Sequence, residues 1–137
     1  AQAKDEQANY VITRSRHSFA LLNKYPYTGG HVLVVPYRQV SDLDGLTNEE
    51  NMDILKLLQC VKKAIQNSMN PDGFNIGLNL GRAAGAGIEN HLHWHIVPRW
   101  NGDINFFPVI GQTNVLPEAL EETAAKLRQA ISNQCPA

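Results

Sequence analysis

The sequence predicts an α+β domain built on a five-stranded antiparallel sheet with two main helices. Five short strand-like segments occur beside only two long helical ones, and short loops rather than crossover helices join most of the strands. The 137 residues, 43% of them hydrophobic, suffice for one domain with its own core. We therefore expect a single domain over residues 1–137, with a frayed N-terminus over 1–9.

The first three predicted strands lie before residue 37. Tyr10–Thr13 and His17–Leu22 flank a turn, and their residues are typical of short strands. Residues 23–30 contain proline and a glycine pair, which predicts a loop. His31–Val35 then predicts a buried strand that ends at Pro36.

Two helices follow from their start signals and apolar stripes. Thr47 and Glu50 form a capping box, and Pro71 ends the helix that it begins. Pro117 suits the first position of the last helix. The first stripe is Ile54, Leu57, Leu58, Val61, Ile65 and Met69, and the second is Leu120, Ala124, Leu127 and Ile131.

The remaining strands enclose a loop rich in small residues. Phe74–Leu80 predicts a strand in which Gly77 suggests a bulge or a close backbone approach. Residues 81–87 are rich in glycine and alanine, and they lead into a strand over 91–97.

Composition excludes several classes of protein. A net charge of −1 argues against a nucleic acid as partner, and no apolar run approaches the length of a membrane helix. The N-terminus shows no signal-peptide pattern. Cys60 and Cys135 are far apart and lack CxxC spacing, which argues against a disulfide scaffold or a zinc site and favours a reducing cytoplasm.

The most informative stretch is a row of three histidines. His91, His93 and His95 alternate with apolar residues, so strand periodicity directs the three imidazoles to one face and the apolar side chains to the core. Successive histidines would be about 6.5–7 Å apart, too far for all three to reach one tetrahedral zinc at about 2 Å. No other cluster offers further ligands, so we expect no metal site.

An extended anion suits the row better. A polyphosphate presents successive negative groups, which imidazoles can bind, and the middle histidine can attack phosphorus as a nucleophile. A metal site and a surface strand that is merely rich in histidine are the competing interpretations.

The pattern His-φ-His-φ-His-φ-φ over His91–Val97 resembles the histidine triad (HIT) superfamily of nucleotidyl hydrolases and transferases. Residues 19–36, with their Asn and Gly-His, resemble another block of that family, as do residues 77–81 and 84–85. The resemblance covers Tyr10 to about Val115. Val97-Pro-Arg99 and residues 100–107 resemble the fragile-histidine-triad and diadenosine tetraphosphate phosphorylase-type branch. The N-terminal cysteine pair that binds zinc in many such members is not in this sequence.

The resemblance implies three unequal histidine roles. His93 is the nucleophile that attacks the α-phosphate, and His95 binds that phosphate. His91 orients the site through a contact with His31, and its backbone carbonyl fixes the tautomer of His93.

Four further residues are expected to bind substrate. Asn23 matches the ligand-binding Asn of the family, and Asn79 falls where relatives place an amide against ribose or phosphate. Gly85 and Gly87 belong to the small-residue loop, whose backbone N–H groups can approach phosphate oxygens closely.

These roles imply an enzyme that cleaves dinucleoside polyphosphates, diadenosine tetraphosphate or triphosphate. Cleavage proceeds through a nucleotidyl-phosphohistidine intermediate, with phosphate or water as the acceptor. The sequence requires no cofactor, and a divalent cation can accompany the polyphosphate substrate. The family implies a homodimer, with the helix over 47–69 as the candidate contact. The alternatives are a nucleoside phosphoramidate hydrolase, disfavoured by the Val97-Pro-Arg99 ending, and a nucleotide-binding interaction module.

Overall fold

The computed structural model describes residues 10–23, 29–86, 91–103 and 117–135. Five strands form one antiparallel sheet in the order β1-β2-β3-β5-β4. The sheet and the two main helices confirm the predicted α+β architecture. In chain order the elements are β1 (Val11–Arg14), β2 (Ser18–Leu22), β3 (Val32–Pro36), α1 (Asn48–Met69), β4 (Gly73–Leu78), β5 (Trp94–Arg99) and α2 (Pro117–Gln134), with short 3-10 turns at Leu43–Gly45 and Arg82–Ala84.

The helix α1 begins and ends as its sequence predicts. The hydroxyl of Thr47 accepts a hydrogen bond from the Glu50 N–H at 3.1 Å, and the Glu50 carboxylate accepts one from the Thr47 N–H at 2.9 Å. This capping box satisfies two of the free donors of the first turn. The helix ends at Met69, because Asn70 adopts the left-handed conformation with φ of 50°.

Both helices pack against one face of the sheet. The predicted stripe of α2 is buried at every position, and so is that of α1 except for the half-buried Met69. On the sheet side the core is formed by Ala20, Leu22, Val32, Val34 and Ile96, all 0–1% exposed. The opposite face of the sheet is therefore not covered by the helices. No helix among the residues described is long and apolar enough to cross a membrane.

An aspartate on α1 anchors the turn between β1 and β2. The Asp53 carboxylate accepts hydrogen bonds from the hydroxyls of Ser15 and Ser18 and from the His17 N–H. Burial acts to raise the pKa of Asp53, but these three donors hold it below its ordinary value. The ionised carboxylate thus ties the β1–β2 turn to the helix layer.

The two cysteines are joined, which corrects the prediction made from their spacing. Cys60 of α1 and Cys135, directly after α2, form a disulfide with a Cα–Cα distance of 5.9 Å across a sequence separation of 75. The prediction was wrong because α1 and α2 pack side by side, so residues far apart along the chain become neighbours in space.

Two details of the predicted strands also differ. The strand β5 begins at Trp94, so His91 and His93 precede it rather than lying within it. Gly77 pairs in regular register with His95, so the suggested bulge is absent. A Cβ at Gly77 would meet nothing within 4 Å, and the glycine therefore leaves open space beside His95 rather than allowing a close backbone approach.

Candidate active site

The histidine row lies on the sheet face that the helices leave uncovered. Ile96 is fully buried on the helix side, so its neighbour His95 points to the opposite face. There His95 is the Cα partner of Leu33 on β3 and of Gly77 on β4. Leu92 is also buried, at 3% exposure, as the alternating pattern predicted.

A chain of hydrogen bonds fixes the tautomers of two histidines. The Asn23 side-chain amide lies 3.3 Å from His31 Nδ1, and an NH₂ group can only donate, so Nδ1 accepts. His31 Nε2 then carries the proton and donates to His95 Nδ1 at 3.0 Å. Neutral His95 therefore bears its proton on Nε2, which makes it a hydrogen-bond donor to a bound anion.

Burial keeps this pair uncharged near neutral pH. His31 is 0% exposed, and burial, followed by repulsion from His95 and His93, lowers its pKa from 6.5 to about 4. Burial and the neighbouring His93 also lower the pKa of His95. The His31–His95 pair thus acts through oriented N–H groups rather than through a net charge.

The tautomer of His93 is fixed by the backbone. His93 Nδ1 lies 3.0 Å from the carbonyl oxygen of His91, which can only accept, so Nδ1 carries the proton. The Nε2 of neutral His93 then carries the lone pair that a nucleophile requires. The predicted hydrogen bond between the His91 carbonyl and His93 is confirmed.

The predicted contact between His91 and His31 is wrong, because each of these histidines contacts a different residue. His31 Nε2 donates to His95, whereas His91 Nε2 donates to the carbonyl oxygen of Pro36 at 2.8 Å. The antiparallel register of β3 against β5 explains the difference, because it runs the histidine row past Leu33 toward Pro36, with His95 nearest to His31. The Pro36 carbonyl was missed because a backbone acceptor leaves no signal in the sequence.

Two of the four predicted ligand-binding residues meet at the end of β4. A Cβ at Gly85 would lie 3.6 Å from the Asn79 side-chain nitrogen, and Gly85 adopts a φ of +93° that favours glycine. The β4–β5 register, continued by one residue beyond the Leu78–Trp94 pair, sets Asn79 across from His93. Asn23 lies at the other end of the row beside His31, and Gly87 is outside the described residues.

Gly30 positions His31 and was not predicted as part of the site. It has a φ of +81°, and a Cβ there would lie 2.7 Å from the sulfur of Met69. Only glycine fits this turn without strain. The Gly29-Gly30 pair directly before His31 was the available signal.

The arrangement combines a nucleophile with aligned donors. His93 offers a lone pair, and its ring centroid is 5.1 Å from that of His95, which offers an N–H. Among the residues described, no group of three or more His, Cys, Asp or Glu side chains is placed to hold a metal ion. His93 can attack an electrophilic centre, and His95 can donate a hydrogen bond to a negatively charged oxygen of that centre.

The sequence of the chain is similar to a known family of proteins. The family model of the HIT domain matches residues 4–102. The chain is 46% identical over 133 residues to "AP-4-A phosphorylase" of Mycobacterium tuberculosis, covering 97% of this chain and 68% of that protein. It is 38% identical over 91 residues to "Bis(5'-adenosyl)-triphosphatase" of Saccharomyces cerevisiae, covering 66% of this chain and 44% of that protein.

A solved structure shows the same fold. The hypothetical histidine triad nucleotide-binding protein of Sulfolobus tokodaii superposes with a TM-score of 0.77 at 29% identity. The match covers 90% of this chain and 84% of the other. The fold of this chain is therefore shared with a protein of known structure.

Proposed function

Because the chain belongs to the HIT family, we propose that it cleaves dinucleoside polyphosphates such as diadenosine tetraphosphate, with inorganic phosphate as the acceptor. The 46% identity to a protein named AP-4-A phosphorylase supports both the substrate and the acceptor. The observation that supports this chemistry is the tautomer of His93. Its Nδ1–H donates a hydrogen bond to the His91 carbonyl, so Nε2 is unprotonated and its lone pair is available for attack.

The first step is an in-line attack of His93 Nε2 on the α-phosphorus. A nitrogen–phosphorus bond forms, the bond from phosphorus to the bridging oxygen breaks, and the rest of the polyphosphate leaves. The intermediate is a nucleotidyl-phosphohistidine on His93. Splitting one difficult displacement into two easier ones is the general advantage of a covalent intermediate.

His95 stabilises the charge on the α-phosphoryl oxygens. Its Nε2–H is directed by the chain Asn23–His31–His95, so the donor is in place before the substrate binds. A preorganised donor of this kind contributes about 10²–10³ in rate. Asn23 and His31 act through His95 as positioning residues, and Asn79 with Gly85 forms the opposite wall of the phosphate site.

In the second step an orthophosphate oxygen attacks the phosphohistidine. A phosphorus–oxygen bond forms and the nitrogen–phosphorus bond breaks, which restores the lone pair on His93. For diadenosine tetraphosphate the products are then ATP from the first step and ADP from the second. Water as the acceptor would give AMP in place of ADP.

Product analysis tests the proposal directly. The protein is incubated with diadenosine tetraphosphate with and without orthophosphate, and the nucleotides are separated by ion exchange. ADP with ATP, formed only when phosphate is present, supports the phosphorylase. AMP with ATP in both mixtures shows that water is the acceptor, and an unchanged substrate contradicts the proposed function.

The covalent intermediate has its own test. Without phosphate, substrate labelled at the α-phosphorus should label the protein, and the label should survive alkali but not acid, as a phosphoramidate does. Replacement of His93 by Gly should abolish labelling. The chain has five histidines, and His17 is the one without a proposed role, so His17→Asn is the matched control that keeps the label. Labelling of the His93→Gly protein would show that another residue is the nucleophile.

We also propose a homodimer. Met52 and Leu55 of α1 are 56% and 54% exposed, which is unusual for large apolar side chains side by side on a helix. This apolar surface supports α1, the candidate contact of the dimer that the resemblance implied. Light scattering should give twice the monomer mass, and Leu55→Glu should shift the equilibrium to monomer.

A cytoplasmic location is proposed on the ground that nucleotide substrates are cytoplasmic metabolites. The Cys60–Cys135 disulfide removes the argument from the cysteines for a reducing cytoplasm, because disulfides are rare in such a compartment. Cell fractionation with rapid thiol trapping tests the proposal and reports the state of the pair at the same time.

A further inference from the structure

The face that carries the histidine row continues past it to the far end of β2 and β3. Leu33 shares this face as the Cα partner of His95, and Val35 follows two residues later on the same side. Val35 is the Cα partner of Phe19. Phe19 in turn pairs with Arg14 on β1, so the arginine lies on the same face.

An aromatic pair and an arginine form a corner there. The rings of Phe19 and Tyr37 have centroids 5.1 Å apart, and Arg14 Nη1 donates to the Tyr37 hydroxyl at 3.2 Å. Tyr37 is nevertheless 45% exposed. Its ring is therefore held in place from two sides while part of it remains open to solvent.

This corner directly adjoins the histidine row. His91 Nε2 donates to the carbonyl of Pro36, the residue before Tyr37. Tyr37 lies four residues beyond Leu33, or about 13 Å along an extended chain. A ligand that extends from the α-phosphate site past His91 would reach the corner next.

Tyr37 also lines a cleft of about 480 Å³ between the β1–β2 turn and the start of α1, whose lining further includes Arg16, Arg38 and Glu50. Arg38 donates two hydrogen bonds to the Glu50 carboxylate, from Nη2 at 2.7 Å and from Nε at 3.1 Å. This ion pair compensates the charge of Arg38. Glu49 adds one further acidic group to the lining. Arg14 and Arg16 form no ion pair with any residue that the structure describes. One uncompensated positive charge therefore lies on the face beside Tyr37, and a second lies in the lining of the cleft.

We propose that Arg14, Arg16 and Tyr37 form a subsite for the distal half of a dinucleoside polyphosphate, the half that leaves in the first step. The two guanidinium groups hold distal phosphates, and the exposed Tyr37 ring stacks on the second base. Asn23 and His31 occupy the opposite end of the row, so the retained nucleotide lies there and the leaving half extends toward Tyr37. This inference rests on the proposed function and adds the residues that select long substrates over short ones.

The test compares a long and a short substrate. Diadenosine tetraphosphate has a distal nucleotide, whereas the 4-nitrophenyl ester of AMP has the same reacting phosphorus and none. Arg14→Gln and Tyr37→Leu should each lower kcat/KM for diadenosine tetraphosphate about tenfold, within the range for loss of base stacking or a phosphate contact. Most of the loss should appear in KM, and kcat/KM for the ester should stay within about twofold. Lys56→Gln, which removes an exposed charge from α1, is the matched control without effect on either substrate.

Binding to an inactive variant separates this inference from the proposed function. Calorimetry on His93→Asn should show that Arg14→Gln weakens diadenosine tetraphosphate about tenfold and AMP by less than twofold. An equal loss for both ligands, no loss for either, or no binding of the dinucleotide overturns the subsite. If the wild-type protein fails to turn over diadenosine tetraphosphate, the proposed function fails, and the binding comparison still decides the subsite.

Discussion

Removing the link between Cys60 and Cys135 should cost a large part of the stability of this protein. The disulfide closes a loop of 75 residues between α1 and the end of α2. For a loop of that length the lost freedom of the unfolded chain amounts to about 4.5 kcal/mol at 25 °C. Domains of this kind have about 5–15 kcal/mol in total. Leu127 and Ile131 of α2 are buried in the core, and this apolar packing does not require the disulfide bond itself, so we expect the reduced protein to fold with a much smaller free energy of unfolding.

The assay is urea unfolding of four samples, wild type and Cys60→Ser, each with and without a reductant. The free energy of unfolding of the oxidised wild type should exceed that of the other three samples by up to about 4.5 kcal/mol. For 137 residues this corresponds to a rise of roughly 10–20 °C in Tm. Serine is close to cysteine in size, and the free energy of unfolding of the Cys60→Ser variant should not change when the reductant is added. A reductant-insensitive wild type, or a serine variant as stable as oxidised wild type, would refute the reasoning.

Three further predictions concern the site and its support. Gly30→Ala should destabilise the protein by about 1–3 kcal/mol, because a Cβ at φ +81° would lie 2.7 Å from the Met69 sulfur, whereas Gly73→Ala, with nothing within 4 Å, should change Tm little. The pKa of His31 falls from 6.5 unfolded to about 4 folded, so its contribution to stability is complete above pH 6.5 and is lost as the pH drops toward 4. The urea concentration at the unfolding midpoint should fall over the same pH range, and His31→Gln should reduce this dependence on pH. Folding lowers the pKa of Asp53 below its ordinary value of 3.8, so its contribution to stability is complete above that pH and is lost as the pH falls through the folded pKa. Asp53→Ala should therefore lower stability at pH 7 and reduce the loss on acidification; an unchanged acid profile would contradict the anchoring role.

Much of the fold could be predicted from the sequence because the patterns that specify it involve residues close together in the chain. The Thr47–Glu50 capping box and the helical stripes depend on residues within a few positions of one another, and each was found where the sequence placed it. The histidine face followed equally from alternation, since Leu92 and Ile96 are buried. The start of β5 was misplaced because alternation continues into the extended residues before a strand, where no ladder partner exists.

Relations within the site were harder to predict because they depend on register. Which histidine contacts His31 is decided by how β3 aligns with β5, and the ladder pairs Leu33 with His95 rather than with His91 or His93. The structure brings His31, His93 and His95 together, as the resemblance implied. The hydrogen bond from His93 to the His91 carbonyl was predicted correctly. The Pro36 carbonyl as the partner of His91 required the folded backbone.

The sheet, the two helices and the face that carries the histidines could be predicted from the amino-acid sequence, because periodicity and capping are properties of neighbouring residues. The Cys60–Cys135 disulfide, the hydrogen bond from His31 to His95 and the contact of Arg14 with Tyr37 depend on the folded chain. These contacts join residues that are 23 to 75 positions apart. Such distances are set by helix packing and strand register, which no local pattern records.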